Sequence, residues 1–72
     1  MKIYVVWTQE RDFGPVRRRA FILANSFKSA NRKAIKAGIY GIVDVWELYP
    51  NEIETIKEGQ WKALNKHNVV KF

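Results

Sequence analysis

The sequence predicts an α+β domain, a small mixed or antiparallel sheet with element order β-β-α-β-α-β. Three observations carry this reading. "KIYVVWT" is apolar at both alternating positions, "NSFKSANRKAIKAG" switches from a period of two to a helical one, and "YGIVDVWELY" returns to strand composition. At 72 residues the chain has room for a single domain, residues 1–72, whose core must be compact. It has no cysteine to reinforce that core, so three Trp, three Tyr and four Phe must supply its mass.

The first strand spans Lys2 to Thr8, with Ile3, Val5 and Trp7 on one side and Tyr4 and Val6 on the other. A strand apolar on both sides belongs at the centre of a sheet. "QERDFGP" breaks the pattern with charge, glycine and proline, and a second strand follows from Arg18 to Ala24. Ser26 then caps a main helix that stops at Gly38. Phe27, Ala30, Ala34 and Ala37 share one narrow arc, with Ile35 at its shoulder, so the small alanines let this helix lie close on one face of the sheet. The third strand ends at Pro50, whose ring cannot continue a ladder.

Residues 51–64 admit two readings. Asn51 as N-cap, Glu54 as the returning half of a capping box and Gly59 as terminator give a short second helix; a turn at Glu58-Gly59 gives a hairpin. The tail returns to the sheet with Val69 to Lys71 and buries Trp61 and Leu64. A hairpin of the first two strands, followed by a helical crossover, sends the third strand back parallel to the second; if it pairs with the first strand from the other side, the first strand is central, in keeping with its two apolar faces.

Charge is segregated along the chain. The net charge is +6, yet residues 13–43 hold Arg17, Arg18, Arg19, Lys28, Arg32, Lys33 and Lys36 with no acidic residue, while residues 44–58 hold five acidic groups against Lys57. Strand alternation sends Arg17 and Arg19 to one face and Arg18 to the other. The crossover helix runs back along the second strand, so Lys33 and Lys36 are expected to approach the triplet. Lys28, Arg32 and Lys36, at i, i+4 and i+8, form a ridge suited to a nucleic-acid backbone. The helix N-terminus at Ser26 lies roughly 23 Å of strand from the triplet, too far for one small phosphate pocket.

The chemistry of catalysis is not legible. The one histidine, His67, sits in a polar "NKHN" segment, there is no nucleophile motif, and neither metal-ligand spacing nor a glycine-rich phosphate loop occurs. The expectation is therefore a small basic binding domain without enzymatic activity, cofactor or metal. Its partner is nucleic acid, held at phosphates by the main helix and Arg17–Arg19, with Tyr4 or Trp46 available for stacking if one sheet face is open. The alternative is a protein-binding module using an aromatic sheet face: a homodimer, or a small inhibitor or adaptor of the kind phages encode. "MKIYVVWTQE" carries too short an apolar run for a signal peptide or a membrane span, which places the chain in the cytoplasm and not in a membrane.

Overall fold

The computed structural model describes residues 1–72. Its elements are β1 (Lys2–Gln9), β2 (Val16–Ala24), α1 (Phe27–Lys36), β3 (Ile42–Glu47), α2 (Pro50–Ile53), α3 (Glu58–His67) and β4 (Val69–Lys71). The four strands form one sheet in the order β3-β1-β2-β4, and every neighbouring pair is antiparallel. β1 is internal, as its two apolar faces require. None of the helices is long and apolar enough to cross a membrane.

Each face of the sheet has its own core. Tyr4 and Val6 of β1 and Ala20, Ile22 and Ala24 of β2 pack under Ala30 and Ala34 of α1. The expected arc thus meets the sheet through its alanines, while Ile35 at the shoulder stays 60% exposed. On the other face, Ile3, Val5 and Phe21 pack against Leu48, Ile56 and Leu64, with Trp61 half-buried beside them. The second face is therefore covered by α2, α3 and the segment between them, not left open.

Both readings of residues 51–64 need correction. Pro50 occupies the first helical position, where its missing N–H costs nothing, so α2 begins before Asn51. Glu52, not Glu54, reaches back to accept the Tyr49 N–H at 3.4 Å. Gly59 stops nothing: it lies in the first turn of α3, whose Gln60 side chain accepts the Lys57 N–H at 2.9 Å. The real stop is Asn68, left-handed at φ 62°, whose N–H donates to Leu64 at 2.8 Å. A ten-residue α3 thus takes the place of the hairpin and fills the start of the tail, which returns to the sheet at Val69–Lys71 and buries Leu64 as expected, with Trp61 half-buried.

α1 behaves as its punctuation predicts. Ser26 Oγ accepts the Ser29 N–H at 3.1 Å. At the other end Gly38 turns left-handed at φ 80°, and the N–H groups of Gly38 and Ile39 donate back to Ile35 and Ala34. The next glycine, Gly41, has φ 70° and a tighter place: its carbonyl accepts the Gln9 N–H at 2.9 Å, and an added Cβ would lie 2.5 Å from the Gln9 carbonyl oxygen. The two positions are separable by mutation. Gly38→Ala, with open space around it, is expected to lose about 1–2 kcal/mol for its left-handed backbone. Gly41→Ala must lose more in denaturant titration, because the clash adds to the same backbone cost.

The sheet is irregular at one height only. Between β1 and β2 the register passes from Val6↔Ala20 to Trp7↔Arg18, leaving Arg19 as an extra residue. Between β1 and β3 it passes from Trp7↔Asp44 to Thr8↔Ile42, leaving Val43 as another. Two β-bulges therefore flank Trp7, one in each neighbouring strand.

Candidate nucleic-acid interface

β2 begins at Val16, so the arginine triplet lies inside a strand and its members diverge. Arg17 is exposed opposite Thr8. Arg18, opposite Trp7, lays its guanidinium 5.1 Å from the centre of the Phe21 ring, on the face that α3 covers. Arg19 turns the other way: its Nε donates to Thr8 Oγ1 at 3.2 Å and it pairs with Glu10 at 3.0 Å. The expected split of Arg17 and Arg19 from Arg18 is present, and Arg19's charge is already answered within the fold. The three side chains do not converge on one point.

Lys33 does not approach the triplet. A ten-residue helix advances about 15 Å, whereas the nine residues of β2 extend about 30 Å, so α1 covers only half the strand it runs back along. Helical side chains also lean toward their own N-terminus. Lys33 consequently donates to the Leu23 carbonyl at 2.8 Å, near the end of β2 far from Arg17.

Lys28, Arg32 and Lys36 form the expected outward ridge. All three are exposed and none is in a salt bridge. Successive members stand about 6 Å apart along the helix axis. Beside the ridge, between the second half of α1 and β4, runs a groove of about 760 Å³. Lys33, Lys36, His67 and Lys71 line it, with Ala37 and Val69 among its apolar residues and no acidic side chain. Lys71, directly across from Ala20, also borders the neighbouring cleft that contains Arg19. It extends the ridge toward the first half of β2, the connection expected of Lys33 and Lys36, neither of which shares a cleft with the arginines.

Lys71 and His67 are the members that sequence reasoning missed. Their signal was present in the lysine-rich tail, but only the pairing of β4 with β2 brings that tail beside α1. Tyr4 must be withdrawn as a stacking residue. It is 2% exposed beneath α1, with its ring 5.1 Å from that of Phe27 in an edge contact. The strand's two apolar sides are both used by the core, so neither presents Tyr4 to a base. Trp46 is 47% exposed, edge-on to Trp7 at 5.5 Å. It lies with Val5 and Trp7 on the face opposite α1, and so outside the lysine groove. Phosphate contact and aromatic stacking are therefore not combined in one cleft. No protein-family model matches the chain, and no curated protein or solved structure shows significant similarity to it.

Proposed function

We propose that the chain is a small, non-enzymatic binding domain of the cytoplasm that holds the phosphate backbone of a nucleic acid. The ridge Lys28, Arg32, Lys36 and the groove formed by Lys33, Lys36 and Lys71 make the contacts. One observation carries this reading: the five cations lie along α1 and β4, none is in a salt bridge, and Lys33, Lys36 and Lys71 border one groove that has no acidic side chain. Surface lysines spaced for solubility alone do not require a shared groove. The contacts are electrostatic and sequence-tolerant, because the exposed aromatic Trp46 stands on the other face.

Salt titration tests the proposal. Five cations each neutralising one phosphate give a log–log slope of about −4.5 on duplex DNA and about −3.5 on a single strand. The expected result is binding at low ionic strength that weakens along one of these lines. Absence of binding to duplex and single-stranded DNA and RNA at low salt, or binding indifferent to salt, removes the proposal.

A further inference from the structure

The exposed aromatic rings are not equivalent. Phe27, Trp46 and Phe72 lie edge-on against Tyr4, Trp7 and Phe21, so each already has a partner inside the fold. Phe13 shares its cleft with the carboxylates of Glu10 and Asp12, and Tyr49 leads into α2, on the face opposite α1. Tyr40 is different: it is 86% exposed, and no other ring packs on it. It lines a cleft of about 230 Å³ together with Lys71, which also lines the lysine groove. The one carboxylate of that cleft, Glu10, is already paired with Arg19.

The backbone holds Tyr40 from both sides. Before it, Gly38 takes its left-handed turn and Ile39 is buried in the core beneath α1. After it, Gly41 is tied to β1 through its carbonyl, which accepts the Gln9 N–H. A ring presented on so fixed a backbone loses little freedom when a flat partner stacks on it, since only its side-chain torsions remain to be ordered.

We propose that the nucleic acid is single-stranded, and that Tyr40 stacks on one of its bases while the adjoining phosphates run past Lys71 into the lysine groove. This rests on the phosphate-binding reading and adds one contact to it. A duplex keeps the faces of its bases inside its own stack, whereas an unpaired strand offers them. The groove favours the same ligand: among its lining residues are Ala37, Ala63, Val69 and Val70, apolar surface that phosphates leave unused and that sugars and bases can cover. Stacking is tolerant of sequence because every base has a π-face, so it needs no hydrogen-bonding code around Tyr40.

Three ligands of equal length separate the contacts: oligothymidylate, the same strand with abasic sites throughout, and a duplex. The parent chain should bind oligothymidylate more tightly than either of the others. Tyr40→Ala should lower affinity for oligothymidylate about five- to a hundredfold with the salt slope unchanged, because stacking displaces no counterions. Its affinities for the abasic strand and the duplex should stay within about twofold of the parent's. Tyr40→Phe should keep most of the affinity, since the ring and not the hydroxyl makes the contact. The side chain is exposed, so both variants should fold. Equal binding of the intact and abasic strands, a duplex bound as tightly as oligothymidylate, or a preference for bases that survives Tyr40→Ala overturns the proposal and leaves phosphate binding standing. Failure to bind any of the three at low salt removes both.

Discussion

Replacing Lys33, Lys36 and Lys71 together by alanine should weaken nucleic-acid binding about a hundredfold at low salt, at roughly 1 kcal/mol for each charge-assisted contact removed. The salt slope should become shallower by about 2.7 on duplex DNA, three phosphates' worth. Arg19→Ala is the contrasting variant, because that side chain is already bonded to Thr8 and Glu10. It should leave affinity within about twofold, the scale of a small surface perturbation. Circular dichroism separates lost contacts from lost fold, and it matters most for Lys33, whose bond to the Leu23 carbonyl also serves the structure. A groove variant that binds like the parent chain, with Arg17–Arg19 replacements abolishing binding instead, would move the interface to the opposite end of β2.

The second large effect concerns stability. Leu64 is the only fully buried side chain of α3 and joins that helix to Ile3, Val5 and Phe21. Leu64→Ala should cost about 2–5 kcal/mol in urea titration. A domain of 72 residues has only about 4–11 kcal/mol to lose. The variant should therefore be partly unfolded near physiological temperature. Because α3 leads through Asn68 into β4, the lysine groove should fail with it. A loss under about 1 kcal/mol would mean that α3 is docked mainly by Trp61 and the Asn68 cap.

The legible parts of the fold are those with local causes. Period and punctuation suffice for the first three strands and α1, and two apolar sides suffice to place β1 inside the sheet. α3 escaped because its signals mislead: Lys57 precedes it with no side-chain oxygen to cap it, and Gly59 sits where a stop is expected. The bulge at Arg19 leaves no trace in composition, since it exists only relative to the register with β1. For the candidate interface, the ridge of α1 was readable from spacing alone. Lys71 was not, because its place depends on a strand pairing across most of the chain. Tyr4 failed for a related reason: an apolar side does not reveal whether a helix already covers it.

The paired bulges on either side of Trp7 divide the sheet into two parts with different support. Below them, Tyr4, Val5 and Val6 are held in regular ladders between two cores, and β4 joins at the same height. Above them the strands twist more strongly and lead to a turn whose tip, Phe13, is wholly exposed. The amides of that upper end are expected to exchange with solvent before those of the lower one, which hydrogen exchange would read. The lysine groove is built on the part held between the two cores, so its shape is expected to outlast any opening of the arginine end.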